Sequence, residues 1–366
     1  MKILQITPSL INGGAERFIV DLSNKISLNG HDVTLISLEG KLINDLSSEI
    51  HSKVNLVRLN KKRGFDFNCF KTISETIYKN EFDIIHTHTR SLNYVNPLCL
   101  MKVKAKFIHT IHNDAQKEEI YYLIRQFRKA LFKLKLVFPV TISHDSDLSF
   151  EKCYNAERKL IFNGTRLISK TTSFDIVKNE VNGYKINDKT KIFVNIARVS
   201  EQKNQEMLIN IFNRLQSESE NVILLIVGRL TDKNYLKKIN QILPSNVFIL
   251  NSRNNATDFL FIADAFCLSS KWEGMPISLI ESFCCGTIPI CTPAGGIKNM
   301  IENNFNGFIS ENLTENSLYK QIIAFLSLGL NKAETIKRNC ISSFEKKYSM
   351  DICSKNYLKL YKSLLR

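Results

Sequence analysis

Two carboxylates stand eight positions apart in the segment Trp272-Glu273-Gly274-Met275-Pro276-Ile277-Ser278-Leu279-Ile280-Glu281, with a glycine and a proline between them. On one continuous helix, eight steps of about 100° leave the two groups roughly 80° apart, so they would not form a paired face. Pro276 changes that geometry, because proline suits the first position of a helix. Glu273 then belongs to the approach loop and Glu281 to the second helical turn. A polyhydroxylated ligand laid across such a helix start would meet a carboxylate at each end for its hydroxyls. The free amides near residues 277–279 would face its phosphates. A sugar nucleotide has that chemistry. The same Glu-Gly-x-Pro string also suits an ordinary loop-to-helix turn, so the reading depends on the rest of the chain.

Support comes from Ala197-Arg198-Val199-Ser200-Glu201-Gln202-Lys203-Asn204, directly after an apolar run that reads as a strand. Arg198 can grip phosphate oxygens with its planar fork, and Lys203 adds a point charge. The C-terminal edge of a parallel sheet is where open α/β folds bind ligands. Gly228-Arg229 occupies the analogous edge in the next unit, with Gly228 read as a point of close backbone approach. Near the start, Ser9-Leu10-Ile11-Asn12-Gly13-Gly14-Ala15-Glu16 lacks the Gly-x-Gly-x-x-Gly spacing of dinucleotide enzymes. Its paired glycines can still bring amides close to a diphosphate or a sugar.

These residues need a scaffold, and 366 residues suit two domains of ordinary size. Hydrophobic residues make up 44% of the chain, with only 14 glycines and 7 prolines, which excludes a disordered or fibrous class. The opening Met-Lys-Ile-Leu-Gln-Ile-Thr-Pro turns polar too early for a signal peptide, and no apolar run reaches ~18 residues. A cytoplasmic chain is expected. Nine cysteines without a C-x-x-C pair read as reduced, mostly buried thiols rather than a disulfide or zinc framework.

Apolar runs near residues 2–7, 33–38, 55–59, 84–86, 107–110 and 137–142 read as strands alternating with helical stretches, hence parallel βαβ units. A polar interval at 169–190 reads as a connector between domains. A second series follows at 192–196, 222–227, 247–250, 266–268, 287–291 and 307–309. Residues 344–365 read as a closing helix, with Tyr357, Leu360, Tyr361 and Leu364 on one face. The predicted domains are 1–168, 191–343 and a C-terminal helix 344–366 that packs back on the first domain.

The formal charge of +15, from 50 basic and 35 acidic side chains, calls for anionic partners. Residues 121–135 carry Arg125, Arg128, Lys129, Lys133 and Lys135 without an acid, interleaved with aromatic and aliphatic side chains. Two readings fit: a helix lying on an anionic membrane, or a basic surface helix packed on its own domain. No zinc-finger, KH or RNP-like pattern accompanies the charge, so nucleic acid is not an expected partner.

Taken in order, these residues resemble the retaining glycosyltransferase family four, with the two-Rossmann-domain GT-B fold facing a central cleft. The resemblance spans nearly the whole chain. It is strongest at Glu273 and Glu281, continued by Gly286, Pro289, Gly295-Gly296 and Asn306-Gly307-Phe308. Gly13-Gly14-Ala15-Glu16, Thr110-Ile111-His112, Asn163-Gly164-Thr165, Arg198 with Lys203, and Asp264 in the strand before Ser269-Ser270 add to it. Ala197 stands where the family commonly has glycine, and Asn299 where a glutamate usually follows the glycine pair.

The resemblance implies a nucleotide diphosphate-sugar donor held mainly by the second domain and a saccharide acceptor, lipid-linked, held mainly by the first. Catalytic roles fall to Arg198, Lys203, Glu273 and His112. Arg198 and Lys203 would neutralise the leaving diphosphate, Glu281 would bind ribose and Glu273 the donor sugar. Gly13, Gly14, Gly228, Gly274, Met275, Pro276 and Leu279 complete the donor site. Glu16 and His112 stand on the acceptor side, with His112 near the transferred sugar. Transfer would retain the anomeric configuration by a same-face reaction, without a covalent glutamate intermediate.

No metal or cofactor is expected. His86 and His88 are read as pointing to opposite faces of their strand, and His109 and His112 lack a carboxylate cluster to complete a metal site. A UDP-hexose or UDP-N-acetylhexosamine is the favoured donor, with GDP-mannose as the alternative. A non-catalytic sugar-nucleotide-binding assembly protein, an epimerase and a phosphorylase are the competing classes. The expected setting is the inner face of a membrane, during polysaccharide, lipopolysaccharide or capsule assembly, with the protein bound peripherally.

Overall fold

The computed structural model describes residues 1–42 and 45–366. Strands and helices alternate from the start: β1 (Lys2–Thr7), α1 (Gly14–Leu28), β2 (Asp32–Ser37), β3 (Val54–Arg58), α2 (Phe67–Asn80), β4 (Ile84–His88) and β5 (Lys106–Ile111). There follow α3 (Ala115–Glu118), α4 (Tyr122–Lys133), β6 (Val137–Thr141), α5 (His144–Tyr154), β7 (Lys159–Leu160) and α6 (Phe174–Tyr184). The second series is β8 (Lys191–Ile196), α7 (Gln205–Ser217), β9 (Val222–Val227), α8 (Lys233–Asn240), β10 (Val247–Leu250), α9 (Asp258–Ile262) and β11 (Ala265–Leu268). After it come α10 (Ile277–Cys285), β12 (Ile288–Cys291), β13 (Phe308–Ile309), α11 (Glu315–Leu326), α12 (Leu330–Ser343) and α13 (Met350–Leu364).

The chain divides into two compact units, Met1–Arg166 with Tyr348–Arg366, and Leu167–Lys347. Unit 1 holds a seven-stranded parallel sheet in the order β3-β2-β1-β4-β5-β6-β7, and unit 2 a six-stranded one in the order β10-β9-β8-β11-β12-β13. In each sheet the order reverses beside the first strand of the series, between β1 and β4 and between β8 and β11. Loops leaving two such neighbouring strands diverge and open a crevice at their C-terminal ends, which is where this architecture binds ligands. β9 reads Val-Ile-Leu-Leu-Ile-Val and is buried along its whole length, as a central parallel strand covered on both faces must be.

The two faces of the unit 1 sheet differ. Leu4, Ile6, Ile85 and Phe107 join an apolar core with Ile73, Ile77, Phe132 and Phe150 from the covering helices. On the opposite face Gln5 lies in register with His86, and His88 with Thr110. All four are fully buried, as are Tyr357 and Tyr361 of α13, with which this face shares hydrogen bonds. Asn163-Gly164-Thr165 secures α13: Thr165 N donates to Tyr348 O at 3.1 Å and Met350 N to Thr165 O at 2.9 Å. A Cβ on Gly164 would sit 2.8 Å from Cys353 Cβ and 2.9 Å from Ser349 O, so a larger residue would force the helix away.

Three sequence readings change here. The interval 169–190 is not a linker, because it holds α6, whose Val177 and Val181 are buried in unit 2; two apolar residues at i, i+4 outweighed the polar composition around them. The closing helix is not continuous from residue 344. A π-helical turn at Phe344–Tyr348 intervenes, and Ser349 then caps a new helix by accepting from Ile352 N. Asp264 precedes β11 rather than lying in it. It accepts from Lys191 Nζ at 2.8 Å and Ile192 N at 2.9 Å, which clamps the N-terminal ends of β8 and β11, away from the ligand-binding edge.

Candidate active site

In unit 2 the loops that leave β8 and β11 meet. Residues 197–204 turn into α7 through Asn204 at φ +53°, and residues 269–276 lead into α10. Lys203 Nζ lies 2.5 Å from Glu273 Oε1, which also accepts from Ser270 Oγ at 2.5 Å. Both members of the ion pair are largely buried, with side chains 12% and 7% exposed. Two further bonds lock the loops together: Ser269 Oγ donates to Asn204 O at 2.8 Å and Lys271 N to Gln202 O at 2.9 Å. Arg198 differs. It is exposed, and among the described residues its guanidinium makes a single long contact, Nη2 to Gln202 Oε1 at 3.4 Å, while Gln202 Nε2 holds Trp272 O at 3.0 Å.

Glycines make the close approaches here possible. Gly295 has φ +53°, and a Cβ there would lie 1.9 Å from Glu273 O. Gly296 N donates to Gly274 O at 3.1 Å, so residues 295–296 back the Glu273 loop directly. Gly228 is required for a similar reason: a Cβ would lie 1.8 Å from Ala197 O, so its backbone supports the strand end that carries Arg198. Helix α10 starts one residue later than the sequence suggests. Pro276 is its N-cap in extended conformation and Ile277 its first residue. No side chain caps this end, and helix geometry leaves the amides of Ile277, Ser278 and Leu279 without an intrahelical acceptor. Met275 and Leu279 are buried in the wall, and Glu281, 6% exposed, sits in the second turn.

Unit 1 has its own helix start at the equivalent strand end. Gly13 is the N-cap of α1, again without a side-chain cap, and Gly14 begins the helix. A Cβ on Gly13 would clash with the Glu16 carboxyl tip, at 2.6 Å, and meet Ile11 O at an ordinary 3.8 Å; the Glu16 side chain also accepts from Ser9 Oγ at 3.5 Å. His112 follows β5. Its ring packs edge-on against Phe18, centroids 5.4 Å apart, and its Nε2 lies 3.0 Å from His88 Nδ1. Its Nδ1 is buried with no protein partner among the described residues. Burial pushes the His112 pKa down to about 4, against an opposing pull from Glu118, and holds His86 and His88 well below the usual range.

His86 and His88 do not point to opposite faces. Side chains alternate along a strand, so residues two apart share a face; the two rings are 4.1 Å apart and Thr87 faces the other way. On that other side Thr87 Oγ1 meets His109 Nδ1 at 3.0 Å, and His109 Nε2 meets Glu118 Oε1 at 3.0 Å. Desolvation acts to raise the Glu118 pKa, but the bond to His109 and the charges nearby hold it below the usual range. Glu118 Oε2 accepts from His112 N at 2.8 Å and so fixes the backbone that presents the ring. Among the described residues no group of three or more His, Cys, Asp or Glu could hold a metal ion.

One base of the segment 121–135 is not on the surface. Arg128 is 1% exposed, because it shares the inner face of α4 with Leu131 and Phe132 at i+3 and i+4. Its Nη2 donates to Asn93 Oδ1 at 3.0 Å and lies 3.3 Å from Glu119 Oε2. It is an internal counter-charge, not a surface contact. Lys133 and Lys135 are exposed, Arg125 and Lys129 half-buried, and Lys135 pairs with Glu157 at 2.8 Å. Tyr121, Tyr122, Leu123, Phe127 and Leu134 are exposed beside them. No helix among the described residues is long and apolar enough to cross a membrane.

Sequence reasoning missed Gln5, Ser270, Gln205 and Glu118. Gln205 Nε2 holds Arg198 O at 2.9 Å and the side chain of buried Asn195 at 3.3 Å. The one available signal was a polar amide inside an otherwise apolar strand, as in Lys-Ile-Leu-Gln-Ile-Thr.

Two parallel Rossmann-like sheets with binding loops at their switch points define a GT-B architecture, and comparison with known proteins agrees. Residues 12–141 match the model of Glycosyltransferase Family 4 and residues 177–342 that of Glycosyl transferases group 1. A capsular polysaccharide biosynthesis glycosyltransferase, CapH, of Staphylococcus aureus is 25% identical over 77% of this chain and 78% of its own. The UDP-Gal:alpha-D-GlcNAc-diphosphoundecaprenol alpha-1,3-galactosyltransferase of Escherichia coli is 24% identical over 67% of each. The crystal structure of Anabaena HepE in complex with UDP and glucose superposes with a TM-score of 0.83 at 17% identity, covering 99% of this chain and 100% of that one. The chain belongs to glycosyltransferase family 4, and it is an enzyme of the glycosyltransferase class.

Proposed function

We propose that the protein moves a hexose or N-acetylhexosamine from a UDP-sugar to a saccharide carried on a lipid diphosphate, with retained anomeric configuration, during polysaccharide assembly. The observation that carries this is the junction of Lys203 and Glu273 at the switch point of unit 2, beside the uncapped start of α10. An ammonium has three N–H groups, so Lys203 can hold Glu273 with one and offer the others to diphosphate oxygens. Arg198, exposed and nearly uncommitted, adds a fork to the same anion. Both stabilise charge that grows as the nucleoside diphosphate leaves, and they therefore act most strongly in the transition state. Glu281 takes the ribose hydroxyls and Glu273 the donor sugar, while Gly13, Gly14 and Glu16 of unit 1 serve the sugar and acceptor side. The leaving diphosphate helps deprotonate the incoming hydroxyl on the same face, so no protein-bound metal is needed.

The relatives' names support the substrate class: one uses UDP-galactose and a diphosphoundecaprenol-linked sugar, and another belongs to capsule biosynthesis. Peripheral contact with the inner face of a membrane rests on Arg125, Lys129 and Lys133 beside exposed Tyr121, Tyr122, Leu123 and Phe127. The test is mass spectrometry of reactions that mix UDP- and GDP-sugars with polyprenyl-diphosphate-linked saccharides. Growth of the acceptor by one hexose or N-acetylhexosamine, with release of UDP, is expected. Release of GDP would move the donor to GDP-mannose, and interconversion of free nucleotide sugars without acceptor growth would overturn the reading.

A further inference from the structure

Six hydrogen bonds run in series through unit 1, from α13 to the ring of His112. Tyr357 Oη meets Thr110 Oγ1 at 2.9 Å, Thr110 Oγ1 meets His86 Nε2 at 2.7 Å, and His86 Nδ1 meets Tyr361 Oη at 2.7 Å. The Gln5 amide then bridges Tyr361 Oη, at 3.4 Å, to His88 Nε2, at 2.7 Å, and His88 Nδ1 meets His112 Nε2 at 3.0 Å. Every group but His112 is fully buried, and burial keeps all three histidines neutral at pH 7. A neutral imidazole has one N–H and one lone pair, so the donor at one link dictates the donor at the next. A buried hydroxyl proton also needs an acceptor, and with both conditions met the series runs in one sense throughout.

The closed end decides between the two senses. Among the described residues, the Tyr357 hydroxyl has no hydrogen-bond partner besides Thr110 Oγ1, so its proton must go there. Thr110 then gives its own proton to His86 Nε2, and His86 Nδ1–H donates to Tyr361 Oη. Tyr361 needs an acceptor, which the Gln5 oxygen supplies when the amide turns it toward the phenol and its nitrogen toward His88 Nε2. The structure places Gln5 Nε2 on Tyr361 and Oε1 on His88; in that orientation one hydroxyl proton of the series has no acceptor, and a half-turn of the amide, which exchanges the two atoms in place, supplies one. His88 Nδ1–H then donates to His112 Nε2, and the remaining His112 proton lies on Nδ1, the buried atom without a protein partner.

We propose that this relay holds His112 as the Nδ1–H tautomer, so that His112 meets the transferred sugar as a hydrogen-bond donor to an acceptor oxygen, with Gln5, His86 and His88 as positioning residues. The proposal rests on the reading that His112 stands near the sugar. It assigns a direction to that contact: an oxygen lone pair is recognised, not a hydroxyl proton.

The test uses the full-length protein, labelled with 15N-histidine and free of ligand, near pH 7. Two-bond 1H–15N correlations report the tautomer of each ring, and a His112→Ala sample identifies the His112 signals. His112 and His88 are both expected as Nδ1–H; a His112 ring protonated on Nε2 overturns the proposal. Gln5→Met, of similar length but apolar, is expected to give His112 as a mixture of tautomers. Its kcat should fall roughly tenfold while its affinity for UDP holds. A single unchanged tautomer and unchanged kcat would contradict the positioning role. If Gln5→Met fails to fold, Tyr361→Phe breaks the relay at the adjacent link and carries the same expectation. Should the tautomer be Nδ1–H while His112→Ala leaves kcat intact, the relay stands and the placement of His112 at the sugar falls.

Discussion

Unit 1 and unit 2 both carry polar groups at the switch point of a parallel sheet, but in opposite electrical states. In unit 2 the group at the junction is a buried ion pair, Lys203 with Glu273, with the exposed Arg198 guanidinium on the same loop. In unit 1 it is a neutral series of imidazoles, hydroxyls and an amide, ending at His112. A fixed positive charge is suited to a leaving diphosphate, whose charge grows during reaction. A neutral, directional array is suited to hydroxyls and ring oxygens, where position matters more than charge. Under the proposed function, the division of labour between the units follows this contrast of a charged pair with a neutral array.

The largest effects should come from unit 2. Lys203→Ala is expected to cut turnover roughly 10²-fold or more. It should also destabilise the fold by roughly 3–5 kcal/mol, because Glu273 is left buried without its partner. Arg198→Ala should cost a similar factor in turnover with little change in Tm, since Arg198 is exposed. Equal Tm losses in thermal melts would break the distinction between a buried pair and a free fork. Gly295→Ala should cost on the order of 3 kcal/mol, through positive φ and the 1.9 Å approach to Glu273 O. Gly13→Ala should cost under about 1 kcal/mol, because the flexible Glu16 tip can move.

A finer division separates the two glutamates. Glu281→Gln should weaken binding of UDP alone, whereas Glu273→Gln should spare UDP and impair use of the whole donor, roughly tenfold in each case. Titrations with nucleotide and with nucleotide sugar would show this, and identical patterns would remove the division. The smallest effect is in pH. The His112 pKa falls from 6.5 to about 4 on folding, so the unfolded chain binds more protons in that interval. Stability from this group is complete above pH 6.5 and declines as the pH drops toward 4, and His86 and His88 act in the same direction. Chemical denaturation at pH 7.5 and 5 should give the lower midpoint at pH 5, and His88→Asn should reduce the difference.

Much of the scaffold was legible because buried parallel strands are near-continuous apolar runs: residues 222–227 and 247–250 were read with the observed bounds. The loops after β8 and β11 were legible because glycine, proline and charged residues sit close together in sequence. What escaped was set by tertiary partners. Arg128 reads as a surface base until Glu119 and Asn93, distant or out of phase in sequence, are brought around it. The relay joins residues up to 356 positions apart, Gln5 with Tyr361, and no local pattern announces such a bond. The 169–190 interval misled for the opposite reason: local polarity hid the two valines that anchor α6.

Under the proposed function, unit 2 recognises the donor through its diphosphate, using the charged loop after β8. Calorimetric titration of the wild type and Arg198→Ala with UDP and with uridine tests it most directly. UDP should bind the wild type far more tightly than uridine, and the variant should lose roughly tenfold or more in UDP affinity while its weak uridine binding holds. If Arg198→Ala binds UDP as the wild type does, or if the wild type does not distinguish UDP from uridine, the assignment of this loop to the leaving diphosphate is wrong.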